Sequence, residues 1–197
     1  MSGRVVPARW RLVDVVVAAV VSAAMGVGLV AWNATYIGAT PLFAALPPAQ
    51  GLMYGVYLVP GVLVALIVRR PGAALFGGVV SAIVSVLVGG SPWGLDALLS
   101  GAIQGGGAEI VFAAGLYRWW RLPTAMFAAG LAGLGAAVHD IIGYYPLTKP
   151  DFWAVFTATV VLSAVLIAGL GGWLLMRGLA NAGVLGDFAA GREQREV

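Results

Sequence analysis

Val15-Val-Val-Ala-Ala-Val-Val-Ser-Ala-Ala-Met-Gly-Val-Gly-Leu-Val-Ala-Trp32 decides the fold class. An α-helix rises about 1.5 Å per residue, so this run alone reaches about 27 Å, close to the hydrocarbon thickness of a bilayer. The uncharged stretch around it is longer still, because no Asp, Glu, Lys or Arg separates Asp14 from Arg69. Further gaps of this kind lie between Arg70 and Asp96, between Arg121 and Asp140, and between Asp151 and Arg177. The chain of 197 residues is 61% apolar and 10% charged, whereas a soluble domain carries about 25% charged residues. A soluble fold needs a charged exterior, so this composition excludes a cytosolic enzyme, a DNA-binding domain and a disordered chain. It describes a polytopic membrane protein.

Cysteine is absent, which excludes disulfides, thiolate metal sites and cysteine nucleophiles. The net charge of +3 reflects cytoplasmic loops, with no nucleic-acid partner. The 29 glycines suit a bundle in lipid, where small residues let helices approach closely. The basic N-terminus before an apolar run has the outline of a signal peptide. The run is too long for one and lacks a clear cleavage site, so a retained first helix is expected.

Six segments qualify as spans: 13–32, 51–68, a short 73–88, 95–117, 124–143 and 152–176. Turn chemistry separates them at Pro47-Pro48, Pro71-Gly72, Gly89-Gly90-Ser91-Pro92, Pro123, Pro146 and Pro150. With the N-terminus inside, Arg4, Arg9, Arg11, Arg69, Arg70, Arg118, Arg121, Arg177, Arg192 and Arg195 all fall on the cytoplasmic side, and only Lys149 falls outside. That asymmetry is what the positive-inside rule demands. The expectation is an all-α, six-helix bundle, one domain over 1–197 in the cytoplasmic membrane. Both termini are cytoplasmic, with short tails of about 1–12 and 178–197. No internal repeat marks inverted halves.

In lipid the informative residues are the polar ones. Glu109 lies well inside the fourth span, thirteen residues after Asp96 and nine before Arg118. An ionised carboxylate there costs roughly 2.5–3.5 kcal/mol on insertion scales, so it must protonate, reach water or meet a cation. The spans place no Lys or Arg at that depth. A cationic or hydrogen-bonding ligand would satisfy it, and so would a neighbouring helix. Gly101, Gly105 and Glu109 share one face, with Gln104 beside it. Such a glycine stripe accommodates a helix or a ligand. His139 and Asp140 end the fifth span on the outer side. No Gly-x-Ser-x-Gly elbow accompanies them, and one His without Cys makes no metal site. Aromatic residues gather at the same side: Trp32, Tyr36, Tyr54, Tyr57, Trp93, Tyr144, Tyr145 and Trp153. An interfacial belt explains several, and a stacking box for a flat or cationic ring suits the remainder. Asn33-Ala34-Thr35 matches a glycosylation sequon by accident. On the first helix Ala19 and Ala23, flanked by Ala18, Ser22 and Gly26, form a small-residue face for packing inside the bundle or against another membrane protein.

Four segments carry a family likeness: Trp10-Arg-Leu-Val-Asp14, Arg69-Arg-Pro-Gly-Ala-Ala-Leu75, Gly90-Ser-Pro-Trp-Gly94 and Gly101-Ala-Ile-Gln-Gly-Gly-Gly-Ala-Glu109. Together they resemble the YkoE-type S component of energy-coupling factor (ECF) vitamin transporters over nearly the whole chain. The resemblance implies a substrate-capture subunit for thiamine or its hydroxymethylpyrimidine precursor (HMP), binding near the outer face. It implies docking on a transmembrane coupling subunit with two cytoplasmic ATPases, and toppling in the membrane. No cofactor and no enzymatic activity of its own are implied. The Ala-x-x-x-Ala spacing of Ala19 and Ala23 then becomes the docking face. The chain departs from the family in its third helix, which has Gly78, Ser81 and Ser85 where acidic residues are usual. Under this reading Glu109 and Gln104 meet the aminopyrimidine, and Trp32, Trp93, Tyr36 or Tyr144 stack on the rings. His139 and Asp140 complete the substrate-binding set. The competing readings are a self-sufficient transporter or channel for an organic cation, an intramembrane enzyme and a scaffold subunit. The chain has no P-loop, so ATP drive must come from a partner.

Overall fold

A computed structural model describes residues 9–89, 91–185, 188, 190 and 191. Arg4, Arg192, Arg195 and Gly90, used above, lie outside the described residues. The six expected helices form: α1 (Leu12–Gly38), α2 (Gly55–Val68), α3 (Ala73–Leu87), α4 (Asp96–Ala114), α5 (Leu122–Gly143) and α6 (Pro150–Asn181). Two 3-10 segments, Thr40–Phe43 and Pro47–Met53, join α1 to α2. Five of the spans are long and apolar enough to cross a membrane, counting Pro47–Val68 as one, and α3 is the shorter apolar helix.

Several boundaries differ from the sequence reading. Helix α1 runs six residues beyond Trp32, since Asn33-Ala-Thr-Tyr-Ile-Gly38 contains no breaker before its final glycine. Helix α4 stops at Ala114, before Tyr117, because Leu116 and Tyr117 turn left-handed at φ 50 and 54. Helix α6 extends to Asn181. In its middle, over Ala164–Gly171, the hydrogen-bond ladder widens to the π pattern.

Helix α2 is the axis. Apolar on every side, it is buried along nearly its whole length, with Val62, Val64, Leu66 and Ile67 at 0% exposure. A helix apolar all round needs neighbours all round. Helices α1, α3, α4, α5 and α6 supply them in that spatial order, each packed on the next. Glycine lets them come close. A Cβ on Gly101 would lie 2.7 Å from the Gly78 carbonyl oxygen, and one on Gly107 2.8 Å from the Ala132 Cα. Here α3, α4 and α5 touch backbone to backbone, as small-residue packing in membranes predicts.

The bundle has two unlike ends. One carries every described arginine, and the other carries Lys149, the aromatic cluster and a cavity. They are called the arginine end and the pocket end below.

Candidate functional site

The cavity opens between α1, the start of α2, the second half of α3 and the first half of α4, with Asp140 and Tyr144 closing the α5 side. It encloses about 580 Å³ of empty space, its open mouth included. Polar residues face it from each helix. Asp96, Ser100 and Gln104 share one stripe of α4, four residues apart, while Ser81 and Ser85 of α3 and Asn33 of α1 stand opposite.

Tyr54, Tyr57, Trp93 and Tyr144 supply aromatic walls. Tyr36 does not line the cavity. It packs edge-on against Tyr57 and Trp93 at 5.8 Å each, fixing those rings from behind. Such edge-to-face pairs contribute about 0.5–1.5 kcal/mol each beyond the area they bury.

Two carboxylates open into this space, and one imidazole ties them together. His139 Nδ1 lies 3.0 Å from Asp140 Oδ1, and its Nε2 lies 3.4 Å from Asp96 Oδ1. The Tyr54 hydroxyl donates to Asp140 at 2.5 Å, and the Tyr144 hydroxyl donates to Asp96 at 2.5 Å. Burial, then the Asp96 carboxylate, raises the pKa of Tyr144, so it remains a donor at physiological pH. The network joins the start of α2 to α4 and α5 at the mouth, and it sets two carboxyl groups where aromatic faces also attract cations. Two lining hydroxyls, Tyr57 Oη and Ser91 Oγ, are buried and have no hydrogen-bond partner among the described residues.

Of the residues singled out from sequence, Gln104, Trp93, Tyr144 and Asp140 line the cavity together. His139 supports it through both carboxylates. Trp32 is absent from the lining, and its buried indole N–H has no partner among the described residues.

Glu109 also lies elsewhere, near the arginine end. One carboxylate oxygen accepts the Gly72 amide at 2.6 Å, and the other accepts the Ala74 amide at 2.9 Å. The Tyr117 hydroxyl donates to the first oxygen at 2.8 Å. Its own pKa is pushed up to about 12 by burial and by Glu109, which keeps it a donor. Glu109 therefore serves as the missing N-cap of α3, whose cap residue Gly72 has no side chain to offer. A negative charge there also complements the helix dipole. Backbone amides satisfy the carboxylate that sequence reasoning had assigned to a ligand.

Sequence reasoning also undervalued Asp96, Asn33 and the α3 serines. Asp96 sits at a span boundary and reads as solvated. Asn33, taken as a chance sequon, is buried with its amide 3.4 Å from Ser85 Oγ. Gly78, Ser81 and Ser85, where α3 departs from the family pattern, all face the cavity. The legible signal was the α4 stripe of Asp96, Ser100 and Gln104 at i, i+4 and i+8.

The arginine end is built from the family-like segments. Asp14, fully buried, accepts Arg70 Nε at 2.8 Å and Arg11 at 2.8 Å. Trp10 donates its indole N–H to the Pro71 carbonyl at 2.9 Å, and the Arg69 guanidinium lies 5.7 Å from the Trp120 ring centre. On α1, Ala18, Ser22 and Gly26 face the bundle interior, whereas Ala19 and Ala23 lie half-buried on its flank.

Comparison with known proteins agrees with this architecture. Residues 13–135 match the family described as the permease component of ABC-type cobalt transport systems. The protein YkoE of Bacillus subtilis (strain 168), provisionally named an HMP/thiamine permease, is 29% identical over 188 residues, covering 95% of this chain and 93% of that one. A solved S component of an ECF transporter superposes with a TM-score of 0.90 at 28% identity, over 95% of this chain and 94% of the other. A bundle wrapped on α2, a cavity at one end and these likenesses over nearly the full length agree: the chain belongs to the family of ABC-type cobalt-transport permease components, and it is a multi-pass membrane transporter subunit of the ECF S-component type, not an enzyme.

Proposed function

We propose that this subunit captures thiamine, or its HMP precursor, from the outer face and passes it to a transmembrane coupling subunit driven by two ATPases. The observation that carries the reading is the meeting of Asp96 and Asp140, from different helices, in one aromatic-walled cavity. Thiamine has a permanently cationic thiazolium and an aminopyrimidine. Two carboxylates suit the first, and Gln104 with the serine hydroxyls suits the second. The name of the Bacillus relative supports the same cargo. The arginine distribution supports an outward-facing cavity, since the opposite end carries the positive charge.

Tryptophan-fluorescence titration of the purified subunit tests the cargo. Trp93 lies in the cavity wall and reports on occupancy. Thiamine and HMP should bind saturably and riboflavin should not. Asp140→Asn should weaken thiamine at least tenfold, since a charge-assisted contact contributes more than about 1.4 kcal/mol. Unchanged affinity rejects the site. Cobalt(II), the cargo in the family description, belongs in the same titration; tighter binding of cobalt than of thiamine would transfer the carboxylates to a metal cargo. Liposomes containing the subunit alone should accumulate no thiamine, and uptake there would favour a self-sufficient transporter.

A further inference from the structure

We propose that cation capture at this site is proton-linked: in the empty cavity His139 holds a proton between Asp96 and Asp140, and a ligand cation beside those carboxyl groups drives the proton off. The inference rests on the vitamin-capture reading and adds a device that exchanges one positive charge for another.

His139 Nδ1 lies 3.0 Å from Asp140 Oδ1, and Nε2 lies 3.4 Å from Asp96 Oδ1. A neutral imidazole has one N–H and one lone pair. It therefore satisfies one carboxylate and turns a lone pair on the other. A proton in each contact removes that repulsion. An imidazolium between two carboxylates achieves this. So does a neutral imidazole that donates to one carboxylate and accepts from the other as a carboxylic acid. Both arrangements place two protons in the trio and leave it one net negative charge, so the proton count does not depend on which atom carries it. Losing one of them would leave two negative charges in a largely buried place, which is costly without a cation.

The surroundings offer no other charge for this role. The remaining carboxyl oxygens accept the Tyr54 and Tyr144 hydroxyls. Tyr36 and Tyr57 stand with Tyr54 in one cluster of rings, and Tyr145 follows Tyr144 at the end of α5. Phenols ionise only near about pH 10 or above, so all five stay neutral here. Helix α3 has no titratable side chain. Among the described residues no Lys or Arg pairs with the trio, and Lys149 and Asp151 at the start of α6 form no ion pair with it. Asp96 and Asp140 line the cavity, whereas His139 stands behind them. A ligand cation thus meets the carboxyl groups from the cavity side while the proton sits on the far side. Two positive charges on one carboxyl pair repel, so the cation favours the trio with one proton fewer. Affinity for a cation then rises with pH through the range where the trio titrates, and binding within that range releases a proton. A neutral ligand of the same shape leaves the proton in place.

The test compares thiamine with the analogue whose thiazolium is replaced by a neutral thiophene. Both carry the same aminopyrimidine, so its own titration cancels from their affinity ratio. Between about pH 6 and pH 8, the range of histidine chemistry, the wild-type ratio of thiamine to analogue affinity should rise at least fivefold. Calorimetric titration of the wild type at about pH 7, in two buffers of different ionisation heat, should count more protons released with thiamine than with the analogue. Neither measurement depends on a variant's folding. His139→Gln removes the titrating ring and should hold the ratio within twofold over the same range, with both ligands still bound. A flat ratio in the wild type overturns the proposal and leaves vitamin capture standing. An undiminished rise in the Gln variant also overturns it. If neither ligand binds the wild type at any pH in the range, the vitamin reading itself falls and takes the linkage with it.

Discussion

Glu109 and Gly72, far apart in sequence, are joined by a 2.6 Å hydrogen bond from the Gly72 amide to the Glu109 carboxylate. A membrane-embedded acid is usually a pointer to cargo. Here it closes the exposed start of a helix that has no cap of its own.

Removing that carboxylate is therefore expected to weaken the fold and spare the site. Glu109→Ala leaves the Gly72 and Ala74 amides without their acceptor, at a cost of about 1–3 kcal/mol. Glu109→Gln keeps one acceptor and should cost less. Thermal unfolding in detergent should fall for both, more for Ala, while thiamine affinity of the folded fraction stays within twofold. A tenfold loss of affinity in a fully folded Gln variant would return the acid to the binding site.

The Asp14 carboxylate, at 0% exposure, holds Arg70 and Arg11 together. Breaking a buried pair by removing one partner costs about 3–5 kcal/mol. Asp14→Ala should lower the unfolding midpoint more than any Glu109 variant. Arg11→Ala should do less damage, since the Arg11 side chain is 45% exposed. Equal effects of the two would mean that burial of Asp14 does not set the cost.

Gly78 and Gly101 line the cavity where α3 crosses α4. A methyl group on Gly101 would lie 2.7 Å from the Gly78 carbonyl oxygen and 2.9 Å from Ala82 Cβ. Overpacking of this kind costs about 1–3 kcal/mol. Gly101→Ala should lower both stability and thiamine affinity. Gly106→Ala, on the same helix with open space at its Cα, should change neither. Ligand titration of the two variants side by side decides whether this helix crossing sets the cavity's shape.

Docking makes a separate demand on α1. Ala18, Ser22 and Gly26 already face inward, leaving Ala19 and Ala23 as a half-buried flank. If the coupling subunit seats there, Ala19→Trp or Ala23→Trp should abolish thiamine uptake in cells that supply the partners. Binding by the purified subunit in detergent should remain. Surviving uptake would move the docking face elsewhere.

The spans were legible because charge is expensive in lipid: the gaps after Asp14, Arg70, Arg121 and Asp151 leave the chain little other choice. Trp93, Tyr144 and Asp140 were legible as polar or aromatic residues near one end, and Gln104 as a polar residue beside the glycine face of the fourth span. Glu109 misled because its partners are backbone amides, and these have no letter in a sequence. The hint was Arg69-Arg-Pro-Gly72, a helix start without Ser, Thr, Asp or Asn. Asp96 was overlooked for the opposite reason, since a charge beside a span looks hydrated until the fold turns it inward. Three of the four family-like segments meet around the α2–α3 turn, through Trp10, Asp14, Arg69, Arg70 and Glu109. Those segments report on how the bundle is tied, and only Ser91, Trp93 and the Gly101–Gln104 stretch report on what it holds.

The wide coil at Ala164–Gly171 gives α6 a fixed phase. A residue added to an ordinary α-helix turns everything after it by about 100°, and the wider turn absorbs that surplus. Rewinding this stretch as ordinary α-helix without shortening it would swing Trp173 and Arg177, which now stack at 4.7 Å, onto another side of the rod. Winding at this point thereby chooses the surface that α6 shows at the arginine end, with no change in any of the side chains that compose it.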